Sequence, residues 1–319
     1  MNSTERLYGA IWGVAVGDAL GVPVEFRSRK SLDADPVNDM RAGGTHGQVA
    51  GTWSDDSSLT FCLMEELSTG KVDFQEIARK FLNWLRYAYW TPHGSVFDRG
   101  IATTNAILRF EMGHQAIACG GYDEYDNGNG SLMRILPLAF VGNSSDEITR
   151  YELVKYTSSI THMHFRSVFA CFVYTEYARM LLKGMDKFEA YHLLKTNINR
   201  FAEEGEFNPK EVSRFDRILK GDIDKIPREA ISGSGYVLHT LEASLWSLLT
   251  TDSYTEATLK AVNLGEDTDT TGAVTGGLAG LCYGLKEIPS EWLNVLARRN
   301  DIEELIQRFE SALPKLEKI

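Results

Sequence analysis

Gly9-Ala-Ile-Trp-Gly13-Val-Ala-Val-Gly17-Asp-Ala-Leu-Gly21 and Gly272-Ala-Val-Thr-Gly276-Gly-Leu-Ala-Gly280-Leu-Cys-Tyr-Gly284 each place a glycine at every fourth position. Both segments otherwise read as apolar helix, where an interior glycine costs roughly 1 kcal/mol relative to alanine. A four-residue spacing stacks these glycines on one helix face. Either the two stripes bury their helices against neighbours at short interaxial distance and bring together the loops at their ends, or small residues merely fit crowded crossings. Both versions require the stripes to be buried.

Working outward, helical periodicity covers most of the chain. Phe74, Ile77, Ala78, Phe81, Leu82 and Leu85 share one face, with Asp73 and Glu76 at the N-cap and N3 positions of a capping box. Asp186 and Glu189 repeat that start signal, and a helix from Val168 to Leu182 stops at Gly184. Further helices are expected to begin near Glu5, Ser57, Arg99, Ser131, Ser145, Lys210, Val237, Thr255, Thr271 and Ser290. Strand signal is limited to short pieces such as Val22 to Phe26. No linker, low-complexity segment or internal repeat divides the chain. The expectation is an all-α, compact multi-helix protein with a single domain over residues 1–319. Its loosest stretches, 33–51, 118–130 and 201–235, are rich in Gly, Asn, Asp or charge, as binding loops often are.

With 43% hydrophobic and 24% charged residues the chain can build a core, which excludes wholesale disorder. Its 33 Lys+Arg against 44 Asp+Glu give a net charge of -11, and no basic run is present. A nucleic-acid partner or an anionic membrane surface is therefore disfavoured, since counterion release needs clustered cations. Cys62, Cys119, Cys171 and Cys282 lie far apart and form no zinc-spaced cluster. The apolar run Leu7 to Val16 is broken by Gly9 and Gly13, closed by Asp18, and follows no basic segment. No window approaches the ~20 apolar residues of a membrane span, and the expected location is cytoplasmic.

Two acidic clusters stand beside the glycine stripes. Gly51-Thr-Trp-Ser-Asp-Asp-Ser-Ser-Leu-Thr puts Ser54, Asp55 and Asp56 at a helix start, and Gly265-Glu-Asp-Thr-Asp-Thr-Thr-Gly puts Asp267, Asp269 and Thr270 at another. Acidic residues at a helix start can simply cap it and complement its dipole. Concentrated carboxylates with hydroxyl neighbours also suit a hard cation such as Mg²⁺, Mn²⁺ or Ca²⁺ rather than zinc. The spacing after Asp267 is not that of an EF-hand, and the P-loop, zinc-protease and α/β-hydrolase signatures are missing.

Seven motifs occur in order over roughly residues 8 to 292: Gly17-Asp-Ala-Leu-Gly followed by Glu25, Trp53-Ser-Asp-Asp, Phe97-Asp-Arg-Gly, Gly128-Asn-Gly-Ser-Leu-Met-Arg-Ile, Ile160-Thr-His, Gly233-Ser-Gly-Tyr, and Asn263-Leu-Gly-Glu-Asp-Thr-Asp-Thr-Thr-Gly-Ala. This series resembles that of the ADP-ribosylglycohydrolases. The resemblance implies an all-α fold with two Mg²⁺ (or Mn²⁺) ions in a cleft. It implies hydrolysis of the bond between ADP-ribose and a modified protein side chain, with an N-linked arginine as the first candidate and ADP-ribose as product. Other ADP-ribosyl linkages (serine, O-acetyl-ADP-ribose, a nucleic-acid base) and a non-catalytic ADP-ribose-binding relative are the alternatives.

By position, Ser54, Asp55, Asp56, Asp267, Asp269 and Thr270 correspond to the family's metal ligands, and Glu25, Asp98 and Asp56 to its catalytic carboxylates. Asp98 also matches a position close to the substrate ribose. Gly128, Asn129, Gly130, Ser131 and Met133 resemble the loop that receives the diphosphate and distal ribose, where small residues let backbone N–H groups approach anionic oxygens. His162 either lines the same cleft or is a satisfied structural residue. Tyr236, after Gly235, either stacks on adenine or packs in the core. Glu266 departs from the pattern, standing where many relatives have a small residue, usually Gly; its carboxylate either faces solvent or adds charge near the second metal.

Overall fold

The computed structural model describes residues 1–317. It consists of helices α1 (Ser3–Gly21), α2 (Arg29–Ala34), α3 (Asp55–Leu67), α4 (Phe74–Tyr87), α5 (Ile101–Glu111), α6 (Glu147–Ser159), α7 (Phe165–Leu182), α8 (Lys187–Glu204), α9 (Pro209–Val212), α10 (Asp216–Leu219), α11 (Val237–Leu249), α12 (Tyr254–Val262), α13 (Thr268–Tyr283), α14 (Ser290–Val295) and α15 (Arg299–Ala312). Short 3₁₀ turns join them, and isolated bridges replace strands among the described residues. The fold is all-α, as the periodicity implied.

The glycine stripes decide how the middle of the molecule is built. α1 and α13 run antiparallel in contact along their length. A Cβ on Gly13 would lie 2.2 Å from the carbonyl oxygen of Gly276, and one on Gly17 would lie 2.1 Å from that of Gly272. Gly9 and Gly280 face each other in the same way, so three glycine pairs form the rungs of a backbone-to-backbone seam. Gly21 continues it against the Asp269 backbone. Gly284 pairs with no glycine, although its carbonyl carbon would lie 2.9 Å from a Cβ on Gly9; with φ +87° it ends α13 in a conformation that L side chains rarely adopt. Around the seam α1 buries Leu7, Ile11, Trp12, Val14, Val16 and Leu20, each contributing about 1.5–3 kcal/mol of apolar transfer free energy. α11 and α12 flank α13, and Tyr174 of α7 donates its hydroxyl to the Val274 carbonyl at 3.0 Å.

Local expectations fared unevenly. Asp73 and Asp186 cap α4 and α8 through two backbone N–H groups each, and α1 carries a full Asn2/Glu5 capping box that the pattern had not suggested. Val22–Val24 is a 3₁₀ turn rather than a strand, because Pro23 lacks the N–H that a ladder needs. The helix expected from Ser131 is a series of turns followed by 3₁₀ residues Leu136–Phe140, since Pro137 cannot donate to a continuing helix. The segment from Lys210 breaks into the two single turns α9 and α10. Contrary to the composition argument, Ser3–Val24 is long and apolar enough to cross a membrane by length and composition, and 94% of that window is buried inside the protein.

Candidate active site

The seam positions the first acidic cluster through Asp18, one residue beyond Gly17 on α1. Asp18 is fully buried, and its carboxylate accepts hydrogen bonds from Ser54 N (2.9 and 3.0 Å), Ser57 N (3.0 Å) and Ser57 Oγ (2.6 Å). The start of α3 is thus tied to α1. Ser54 is the N-cap of α3; its hydroxyl accepts from Asp56 N at 3.3 Å and donates to Asp56 Oδ2 at 2.9 Å. Asp55 and Asp56 occupy the first turn, where the helix dipole favours negative charge.

The second cluster is placed by the Gly233–Gly235 strap. Asp267 N donates to the Gly233 carbonyl at 2.9 Å, and a Cβ on Gly233 would sit 2.2 Å from the Gly265 carbonyl oxygen. Asn129 Nδ2 donates to Asp267 Oδ2 at 2.8 Å, and Thr270 Oγ1 reaches Asp56 Oδ2 at 3.4 Å. Asp18, Asp56 and Asp269 bring carboxylate oxygens within 4.8 Å of one another; so do Glu25, Asp267 and Asp269, while Glu25 and Asp98 form a third such group with His46 Nε2. The two expected clusters, from opposite ends of the chain, therefore form one site. Glu266, at φ +66°, locks its backbone to Phe26 and Arg27 and exposes its side chain to solvent. The positive φ explains why glycine suits this position.

Asp18, Glu25, Asp55, Asp56, Asp98 and Asp269 hold protons more tightly than free carboxylates do. Burial first, then neighbouring carboxylates, holds Asp55, Asp56 and Asp269 well above the usual range. Burial raises Asp18 to about 7 against its four hydrogen bonds, and burial together with Asp98, Asp267, Asp55 and Asp18 raises Glu25 to about 9. Asp98 is raised by burial, with His46 opposing the shift. Asp56 Oδ1 and Asp269 Oδ2 are buried without any hydrogen-bond partner among the described residues. Two orphaned carboxylate oxygens in an acidic cluster with hydroxyl neighbours fit a hard divalent cation by donor chemistry.

A cleft of about 350 Å³ opens over this site. Glu25, Asp55, Asp98, Asp267 and Thr270 line it, together with Gly128, Asn129, Gly130, Met133, His162, the start of α5 at Arg99–Thr103, and the aromatic residues Phe26 and Tyr125. Asn129 N donates to the Gly235 carbonyl at 3.0 Å within a bridge between Gly128 and Tyr236, which fixes the glycine-rich loop. A Cβ on Gly130 would lie 2.8 Å from His162 Cε1 and 2.9 Å from Thr103 Oγ1. His162 bonds Thr161 Oγ1 through Nδ1 at 2.8 Å, and burial beside Arg134 lowers it to about 3, so its imidazole is neutral.

Of the expected binding residues, Ser131, Gly235 and Tyr236 do not line the cleft. Ser131 is fully buried and accepts from Ser158 Oγ at 2.9 Å, while the Tyr236 ring meets His239 edge-on at 5.1 Å. Ser54, Asp56 and Asp269 lie beneath the cleft floor as buried groups. Asp18 and His46 were missed. The Asp18 signal was legible, an acid inside a glycine-spaced apolar helix, but it read as the close of an apolar run.

The sequence model described as ADP-ribosylglycohydrolase matches residues 1–317. The chain is 34% identical over 322 residues to "ADP-ribosylarginine hydrolase Tri1" of Pseudomonas putida (strain GB-1), across 100% of this chain and 81% of that one. It is 30% identical over 317 residues to an ADP-ribosyl-(dinitrogen reductase) glycohydrolase of Rhodospirillum rubrum, across 97% and 95% of the two chains. A solved structure described as an "ADP-ribosylglycohydrolase-related protein complex" matches with a TM-score of 0.81 and 31% identity, over 98% of this chain and 99% of that one.

Proposed function

The chain belongs to the ADP-ribosylglycohydrolase family, and from that premise we propose that it hydrolyses the N-glycosidic bond between ADP-ribose and a protein arginine. The observation that carries the reading is the pair of orphaned, buried oxygens, Asp56 Oδ1 and Asp269 Oδ2, beneath a cleft edged by Glu25 and Asp98. The relatives' names supply the arginine linkage.

In this reading Ser54, Asp55, Asp56, Asp267, Asp269 and Thr270 hold two divalent cations, Mg²⁺ or Mn²⁺. Bound there, the cations supply Lewis acidity and a fixed hold on sugar hydroxyls. The chain's own residues do the rest. The backbone of Gly128–Gly130 receives the diphosphate and ribose, with neutral His162 beside it adding no charge. Glu25, whose burial favours the protonated form, gives its proton to the leaving guanidine nitrogen as the bond to the anomeric carbon breaks. Water adds to the oxocarbenium-like carbon, and Asp98 takes up the proton that water loses. The products are ADP-ribose and unmodified arginine. An intracellular, cytoplasmic setting accords with four unpaired cysteines.

A panel of arginine-, serine- and acetyl-linked ADP-ribosyl substrates, assayed with Mg²⁺, Mn²⁺ and chelator, tests this. Release from arginine with either cation, abolished by chelator, is the expected result. Full activity in excess chelator ends the cation reading, and release only from another linkage ends the arginine reading.

A further inference from the structure

We propose that His46 is a positioning residue for Glu25, holding one carboxyl oxygen so that the other is presented to the cleft. The inference rests on the glycosidase reading above, because Glu25 is its proton donor.

The 43–48 loop is docked on the backbone that carries Glu25. Gly43 N donates to the Gln48 carbonyl at 2.6 Å, closing the loop, and Gln48 Nε2 donates to the His46 carbonyl at 3.1 Å. Gly44, at φ +68°, lies so near Pro23 that a Cβ would sit 1.7 Å from its carbonyl oxygen. Thr45 Oγ1 donates to the Glu25 carbonyl at 2.6 Å. These contacts aim the imidazole inward. Its ring packs against Phe97 at 5.2 Å and Phe26 at 6.1 Å between centroids.

His46 Nε2 bonds Glu25 Oε2, and this is the Glu25 carboxyl group's only hydrogen bond among the described residues. The charged neighbours that act most strongly on Glu25 are the carboxylates of Asp98, Asp267, Asp55 and Asp18, and Asp269 brings a further carboxylate oxygen within 4.8 Å. Without His46 no hydrogen bond would fix the orientation of this carboxyl group, and the side chain would be free to rotate away from the cleft. With Oε2 tied, Oε1 remains free for the leaving nitrogen. The role requires a hydrogen-bond donor at the Nε2 position, so the amide of glutamine can replace it.

The test compares wild type, His46→Ala and His46→Gln on arginine-linked substrate with Mg²⁺. Loss of an outer partner of this kind lowers activity about 10- to 100-fold. We expect that fall in kcat for His46→Ala, with KM within about threefold and an unchanged number of bound cations, and recovery of kcat to within about fivefold for His46→Gln. Wild-type kcat in His46→Ala overturns the proposal. So does a folded His46→Gln no better than His46→Ala, or the loss of one bound cation in His46→Ala, which would make His46 a ligand. If wild type fails on every linkage, the glycosidase reading is what fails. Ring ¹⁵N NMR of the Mg²⁺-loaded protein then still decides the contact: the His46 Nε2 signal must shift in Glu25→Gln, and an unmoved signal overturns it.

Discussion

Replacing Gly17 by Ala tests the seam and the site together. The added Cβ would meet the Gly272 carbonyl oxygen at 2.1 Å, the Gly272 carbonyl carbon at 2.5 Å and Ala273 N at 3.0 Å. All three are backbone atoms, so no side chain can swing aside. Reaching ordinary contact at 3.4 Å requires α1 and α13 to part by about 1.3 Å there, since 3.4 minus 2.1 is 1.3. Overpacking of this kind costs about 1–3 kcal/mol, and the rigid obstacle points to the upper end. Relief of the helix-interior glycine returns about 1 kcal/mol, leaving a net loss of about 2 kcal/mol. At about 2.1 cal/mol/K per residue the unfolding entropy of 319 residues is about 0.7 kcal/mol/K, so Tm falls by about 3 °C. Activity falls further than stability suggests. Asp18 adjoins Gly17 and Asp269 lies three residues before Gly272, and a misplacement of about 1 Å costs on the order of 100-fold in rate. Gly9→Ala is the control, with a similar clash of 2.4 Å against Gly280 but about 13 Å along α1 from Asp18. Thermal melts and Mg²⁺-dependent hydrolysis of an ADP-ribosylarginine substrate read both effects. A Gly17→Ala protein with wild-type Tm and rate refutes the argument, as does an equal loss of rate in the two variants.

Other perturbations follow from the same geometry. Asp56→Asn and Asp269→Asn remain folded in chelator, with Tm no lower than wild type because an amide of the same shape replaces a carboxyl group whose ionisation burial opposes, yet they lose the Tm gain that Mg²⁺ gives; calorimetry with and without Mg²⁺ checks this. Asp18 and Glu25, with folded values of about 7 and 9 against ordinary values of 3.8 and 4.5, bind protons that the unfolded chain has released. Cation-free stability therefore falls as pH rises from about 4 to about 9, and Mg²⁺ raises Tm more at about pH 8.5 than at about pH 5.5; a Tm gain independent of pH would contradict this. Gly130→Ala pushes on His162 and Thr103 and is expected to weaken ADP-ribose binding by about 10-fold or more, measured by calorimetry, with cation binding unchanged.

Much of the fold was legible because it depends on spacing. Glycines at every fourth position and apolar residues at helical intervals survive translation into structure, since both are local properties of a helix face. What the spacing could not give was which glycines of the two stripes pair, or that Gly284 would face no glycine and instead end α13. Proline defeated the local reading twice, at Pro23 and Pro137, where a missing N–H outweighed the apolar pattern around it. The acidic ligands were visible as two clusters because residue type announces them. Their joining was expected from the glycine stripes and the motif series, but the tie that builds it, Asp18 reaching across to Ser54 and Ser57, was not visible. His46 gave no signal: its contact with Glu25 spans 21 residues and is made by loop docking, which no periodicity records. Tyr236 shows the opposite case, where the motif was present but its ring turned to His239 instead of the cleft.

The seam also has a consequence for how the protein is made. Gly17 and Gly272 are 255 positions apart, and at about 5–20 residues per second a ribosome needs about 13–50 s to pass from one to the other. Throughout that interval α1, apolar enough to resemble a membrane span, has no partner to cover its glycine face. A nascent chain therefore carries an apolar helix whose glycine face stays uncovered until α13 has been made, which exposes it to aggregation. Enzymatic competence arrives late and all at once, when α13 closes against α1 and the two halves of the acidic centre first meet.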